Sequence, residues 1–166
     1  MTFKASFPPV VAPATRLLVL GSLPGEASLA ARRYYAHPQN QFWALMAPVV
    51  GCDLPSLPYD ARLEALLAAG VGLWDVVATA RRDGSSDAAI RDMTGNDVAT
   101  LAASLPQLRA IAFNGGTALR HGTRQLGAAA ARYAIVALPS SSPLHTVGLA
   151  AKSSAWSSLR EHLTRS

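Results

Sequence analysis

An α/β fold, with helices covering both faces of a short, mostly parallel four-stranded sheet, is the class this sequence predicts. Three observations carry it. Four short apolar runs close on turn-forming residues, stretches of helical character separate them, and the runs are apolar nearly throughout, as strands buried on both faces must be. The runs are residues 16–21, 72–77, 110–114 and 133–138, and the helical stretches are 41–50, 61–69, 97–104, 117–126 and 153–163. Residues 1–14, with Pro8, Pro9 and Pro13, read as an extended lead-in. Asn96 stands where the third helical stretch needs an N-cap, and Pro106 stops that helix. Gly127 follows the fourth stretch, where a left-handed residue commonly ends a helix. With no internal repeat and no dividing linker, residues 1–166 are expected to form one domain.

Composition narrows the function classes. Half of the 166 residues are hydrophobic and 15% are charged, which suits one domain with a full core. Fifteen Lys and Arg against ten Asp and Glu leave a charge of +5, most of the positive charge being arginine, and a polyanionic partner fits that excess. Cys52 is the sole cysteine, so internal disulfides, cysteine-rich metal sites and iron–sulfur clusters are excluded and a reducing compartment is indicated. No apolar run approaches the roughly 20 residues that span a bilayer, and no signal-like core precedes Pro8. A soluble cytoplasmic protein is expected.

In an open parallel sheet the ligand crevice lies beyond the carboxyl ends of the strands. The loops there are unusual in all four cases. The first reads Gly21-Ser22-Leu23-Pro24-Gly25 and leads to YYAHPQNQFW over residues 34–43. The second, residues 78–87, carries Arg81, Arg82, Ser85 and Ser86; the third reads Phe113-Asn114-Gly115-Gly116; the fourth reads Pro139-Ser140-Ser141-Ser142-Pro143-Leu144-His145. Aromatic faces beside neutral amides suit a flat heterocycle, held by its faces and read at its edge.

Other chemistries lack their frames. Neither G-x-x-x-x-G-K-[ST] nor G-x-G-x-x-G is present, and no G-x-S-x-G elbow supports a triad from Ser140–Ser142, the histidines and Asp75. His37 and His145 lack the spacing of a metal site, and no metal or other cofactor is expected. Phe42 and Trp43, at a helix start, read as core aromatics. Tyr35, in the loop before His37-Pro38, reads equally as a stacking face or as packing. Asn40 has two readings, a cap for the helix beginning at Gln41 and a holder of water at a cleft edge. Arg81 and Arg82 are either solvated or placed to meet phosphates.

Taken in order, GSLPGE from Gly21, YYAHPQNQFW from Tyr34, GLWDV from Gly72, SSDAAIR from Ser85, FNGG from Phe113 and LPSSSP from Leu138 resemble the uracil-DNA glycosylase superfamily. Within it, the hypoxanthine (deoxyinosine) branch, family six, is the most similar. The resemblance runs from about Arg16 to Leu163. It implies a three-layer α/β/α sandwich and a monofunctional enzyme that flips a deaminated base, hypoxanthine first, out of DNA and hydrolyses its N-glycosidic bond. Carried over, Gly21, Ser22, Leu23, Pro24 and Gly25 line the base pocket, Tyr35 lies against the base with His37-Pro38 setting the bend, and Asn114, of the shared Phe-Asn-Gly segment, joins backbone N–H groups near Ser22 or Gly25 on the base edge. Ser140, Ser141, Ser142, Pro143, Leu144 and His145 form the loop that enters the minor groove, Leu144 being the apolar wedge, while Arg81 and Arg82 join the serines on phosphates. Mismatch-specific relatives position water with an Asn two residues after the first motif glycine, where this chain has Leu23. That role then falls to Asn40, as the family-six branch implies, with Glu26 the nearest carboxylate in reserve. The implied partner is double-stranded DNA containing a deaminated base, with single-stranded DNA a further substrate, and the implied enzyme is a monomer acting at the nucleoid of a bacterial-type cell. Lys4 and Lys152, the only lysines, lie outside the rim loops, so Schiff-base lyase chemistry is not expected. Two other readings stand beside this one: a mismatch-type uracil or thymine glycosylase, and a non-catalytic binder of damaged or single-stranded DNA.

Overall fold

The computed structural model describes residues 2–145 and 147–164. Its strands are β1 (Thr2–Ala5), β2 (Leu17–Gly21), β3 (Val71–Asp75), β4 (Val77–Arg82), β5 (Arg91–Gly95), β6 (Ala110–Asn114) and β7 (Ala134–Leu138). The α-helices are α1 (Glu26–Ala31), α2 (Phe42–Val50), α3 (Tyr59–Ala68), α4 (Val98–Ala103), α5 (Gly116–Leu126) and α6 (Leu149–Ser157).

A parallel four-stranded sheet in the order β3-β2-β6-β7 forms the centre, as the apolar runs predict. Side chains alternate between the faces of a strand, so β2 divides its burial. Leu17 and Val19 pack with Phe42, Met46, Leu66 and Trp156 from α2, α3 and α6, whereas Leu18 and Leu20 pack with Val98, Ala102 and Ala118 from α4 and α5. Each fully buried Leu or Val contributes about 1.5–3 kcal/mol, which is why β2, with helices on both faces, contains no polar side chain. Gly122 lets α5 lie close on β6: a Cβ there would stand 2.0 Å from Phe113 Cε1.

Five expectations need correction. The second apolar run ends at Asp75, and after Val76 the chain continues as β4 out of the parallel sheet. Residues 78–82, read as loop, are therefore strand, and β4 pairs antiparallel with β1 and β5 in a second sheet of order β1-β4-β5. The lead-in thus begins with a sheet strand, Thr2 lying opposite Arg82. Asp97, not Asn96, caps α4 by accepting from Thr100 N at 3.1 Å, while the Asn96 amide donates to Asp75 O at 2.7 Å. Gly127 has φ 54° but ψ −132°, positive without being left-handed helical. The last helix starts at Leu149, earlier than expected, and passes into a 3-10 turn at Ser158–His162.

Candidate active site

A cavity of about 460 Å³ opens at the carboxyl ends of β2, β3 and β6, and the four rim segments line it: Gly21–Gly25, Tyr34–Asn40, Ser85–Asp87 and Ser140–His145. The first segment is braced from beneath. Arg82, fully buried at the end of β4, donates Nε to Gly84 O at 2.8 Å, Nη1 to Leu23 O at 3.5 Å and Nη2 to Pro24 O. Burial lowers its pKa, and no part of it reaches solvent. The expected phosphate contact at Arg82 is corrected: it positions the loop, because β4 turns it inward. Arg81, one residue earlier and on the opposite face, stays exposed beside Asp92 at 3.6 Å. Leu23 packs its side chain into the core with Val76 and Val77, so it supplies no polar group. The carbonyls of Gly21 and Ser22 accept from Val76 N and Val77 N, so the loop's oxygens already have partners.

Tyr35 adopts φ 54°, the left-handed region that costs a bulky residue strain. The contacts hold it there. Its ring stacks on Phe42 with centroids 3.9 Å apart and planes 9° from parallel, Trp43 Nε1 donates to its carbonyl at 3.1 Å, and its hydroxyl accepts from Asn114 Nδ2 at 3.4 Å. Burial, then the nearby Asp75 charge, push its phenol above the ordinary range. Phe42 and Trp43 are buried core aromatics, as expected. Asn40 Oδ1 accepts from Phe42 N at 2.9 Å, the local cap, and among the described residues its NH₂ group meets no acceptor. His37, exposed, accepts at Nδ1 from Gln39 N at 3.1 Å.

Asn114 is committed to the fourth loop. Its Oδ1 accepts from Ser141 N and its Nδ2 donates to Ser141 Oγ, both at 2.9 Å, and Ser141 O accepts from Gln41 N at 3.0 Å. That clip ties β6, α2 and the serine loop together. Beyond it, Ser142 Oγ accepts from Leu144 N at 3.1 Å, and Leu144 projects with 61% of its surface exposed. Lys152 lies outside the loops in sequence but reaches them in space: it is buried and donates to His145 O at 3.2 Å. Lys4 likewise pairs with Glu26 at 3.1 Å, a carboxylate that is 61% exposed.

The group that sequence reasoning missed as a site residue is Asp75. It ends β3 with only 4% of its surface exposed, and its Oδ2 has no hydrogen-bond partner. Burial first, and the Asp87 carboxylate second, raise its pKa to about 7 despite Arg82. Gly21 leaves room for it, since a Cβ there would stand 2.6 Å from Asp75 Oδ1 and 3.3 Å from Tyr35 Oη. Its signal in the sequence was a lone carboxylate inside an apolar run.

A parallel sheet whose carboxyl-end loops hold an aromatic stack, neutral amides and a buried carboxyl defines a pocket for a flat polar ring. The chain belongs to the uracil DNA glycosylase superfamily, whose family model matches residues 8–161. It is accordingly a DNA glycosylase, a hydrolase of N-glycosyl bonds in DNA. Two relatives, both named hypoxanthine DNA glycosylase, are 44% identical (Methanosarcina barkeri) and 40% identical (Methanosarcina acetivorans) over 112 residues, covering 68% of this chain and 71% of theirs. A solution NMR structure of a candidate uracil DNA glycosylase from Methanosarcina acetivorans superposes with TM-score 0.85 at 35% identity, over 98% of this chain and 99% of that one.

Proposed function

We propose that this glycosylase removes hypoxanthine, flipped into the cavity beside Tyr35 and released by hydrolysis without a covalent intermediate. The observation that supports it most is Asp75, a buried carboxyl with an unpartnered oxygen and a pKa near 7. When protonated it offers a donor and an acceptor side by side. Hypoxanthine presents the complement, a C6 carbonyl beside N1–H, and the two named relatives carry that base in their names. Tyr35, backed by Phe42, lies against the ring; Asn114 acts through Ser141 and the Tyr35 hydroxyl rather than on the base.

The bond breaks as the sugar takes on oxocarbenium character and the base leaves as a delocalised anion, so water need only be held in line. Asn40 holds it. Phe42 N–H fixes the Oδ1 end, which keeps a second lone pair for a water O–H. The water oxygen bonds to C1′ as the C1′–N bond breaks, and the proton the water gives up neutralises the departing base anion. The proposal extends to a monomer acting on duplex DNA at the nucleoid, with Leu144 filling the gap and Ser140, Ser142 and Arg81 near phosphates.

Uracil presents the same carbonyl beside N–H, so the mismatch-type reading is the second one Asp75 permits. Duplexes carrying one hypoxanthine, uracil, xanthine or normal base, incubated with enzyme and then cleaved by alkali, decide between them. Hypoxanthine is expected to be excised, with the rate falling by roughly 100-fold in Asn40→Ala at a near-unchanged melting temperature. Excision of uracil alone overturns the hypoxanthine assignment, and binding without abasic sites overturns the catalytic one.

A further inference from the structure

Residues 34–40 separate two cavities, of which the base pocket is only one. On their other side lies a groove of about 650 Å³, bounded by Arg33, Trp43, Leu57, Tyr59 and Arg62, and sharing Tyr34, Tyr35, His37 and Asn40 with the pocket. No carboxylate lines it. Asp60, next in the chain to Tyr59, lies outside the lining.

Both arginines place their guanidinium carbon over an aromatic ring. The Arg33 guanidinium sits 5.3 Å from the Tyr59 ring centre, and that of Arg62 sits 5.2 Å from the ring of Trp43. A guanidinium within about 6 Å of a ring centre is held there by the cation–π attraction, and the N–H groups it does not spend on the fold remain for a phosphate's oxygens. Arg62 is fixed further: Nε donates to Leu57 O and Nη2 to Pro55 O, both at 2.9 Å, which leaves Nη1 unused. Arg33 has no acceptor among the described residues, so its whole donor edge is available. The Tyr59 hydroxyl accepts from Tyr34 N at 2.9 Å, so the Arg33 platform is anchored one residue before the ring that faces the base.

We propose that this groove is a second binding site, which takes a phosphodiester of the lesion-bearing strand next to the flipped nucleotide. The placement rests on the proposed function, because it assumes that the strand delivers its base across residues 34–40. The chemistry of the groove does not depend on that assumption. Two guanidiniums that keep N–H groups unspent, in a groove whose lining holds no acid, fit a phosphodiester.

The test is fluorescence anisotropy with undamaged single-stranded and duplex oligonucleotides over a series of NaCl concentrations. Arg33→Gln is the primary variant, since it removes no hydrogen bond from the fold, and Arg62→Gln is the second. Arg132→Gln, at the amino end of β7 and away from the rim, is the control. Each groove variant is expected to weaken binding several-fold near 0.1 M salt and to flatten the slope of log K against log salt by about 0.7 on single strands and 0.9 on duplex. Arg132→Gln is expected to leave the slope as it is. Unchanged slopes in Arg33→Gln overturn the groove, as does a fall equal to that of Arg132→Gln. The two proposals fail separately: excision of hypoxanthine with unchanged slopes removes only the groove, while flattened slopes without excision of any base remove only the catalytic reading.

Discussion

The two cavities that meet across residues 34–40 have opposite charge. The base pocket is lined by Glu26, Asp75 and Asp87 and by neither Arg nor Lys, whereas the groove behind it is lined by Arg33 and Arg62 and by no acid. A nucleotide has the same division, a neutral ring joined to an anionic backbone. The difference explains how one short segment can sort both parts: the acidic pocket repels a stray phosphate, and the basic groove attracts one. It also sets a condition on catalysis. A base leaving as an anion beside three carboxyls is disfavoured unless the nearest of them carries a proton, and Asp75 is the one raised toward neutrality.

The sharpest way to break this division is to close the pocket and leave the groove alone. Gly21→Ala puts a methyl 2.6 Å from Asp75 Oδ1, and with Asp75 almost completely buried the carboxyl cannot swing clear. Displacements near 1 Å in such a site cost about 100-fold in rate, and that loss is expected in single-turnover excision while binding of undamaged DNA stays within error. A variant that loses both functions together would show that the cavities are not separable.

Asp75→Asn tests the proton itself, with an expected effect of about tenfold. Raising pH through 7 ionises Asp75, so the wild-type rate is expected to fall across pH 6–8, whereas that of Asp75→Asn stays flat. Stability gives an independent check on the sign. The unfolded carboxyl titrates near 3.8 and the folded one near 7, so the folded state binds more protons between them and stability declines as pH rises through that window. The decline amounts to as much as about 4 kcal/mol, taking 1.36 kcal/mol per unit. Melting curves at pH 5 and pH 8 should therefore show the wild type losing more than Asp75→Asn. Equal losses would place the proton elsewhere.

How far the sequence exposes these regions follows from what each is made of. The parallel sheet was legible because β2, β3 and β6 are almost wholly buried and hence apolar up to the residues that close β3 and β6, Asp75 and Asn114. The second sheet was not: β1 reads TFKA and β5 reads RDMTG, mostly exposed, and their pairing with β4 is a long-range backbone contact without an apolar pattern. That hidden pairing is also why Arg82 looked like a loop residue and proved to be the brace beneath Leu23 and Pro24. The rim loops could be placed, since strands of a parallel sheet end on one side, but the division of labour among their side chains could not. Asn114 looked like a base reader and is spent on Ser141, whereas Asp75 looked like an interior residue of a strand expected over residues 72–77 and keeps an open oxygen. The groove escaped notice because each arginine and its ring, Arg33 with Tyr59 and Arg62 with Trp43, belong to different segments, and only the fold brings cation and ring together.

Leu144 offers the smallest effect and the finest distinction, since it lies on the pocket's lip rather than in either cavity's chemistry. With 61% of its surface exposed, truncation to Ala should cost little stability. Flipping from a duplex opens a gap whose unstacking costs a few kcal/mol, and an apolar side chain inserted there recovers part of it, whereas a single strand has no gap to fill. Leu144→Ala is therefore expected to slow excision from duplex by about fivefold and from single strands by less than twofold, roughly 1 kcal/mol of discrimination. Single-turnover rates on matched oligonucleotides measure it. Equal slowing on both substrates would mean that Leu144 shapes the pocket mouth through the Ser142 turn and does not enter the helix, and the strand-holding role would then rest on the arginine groove alone.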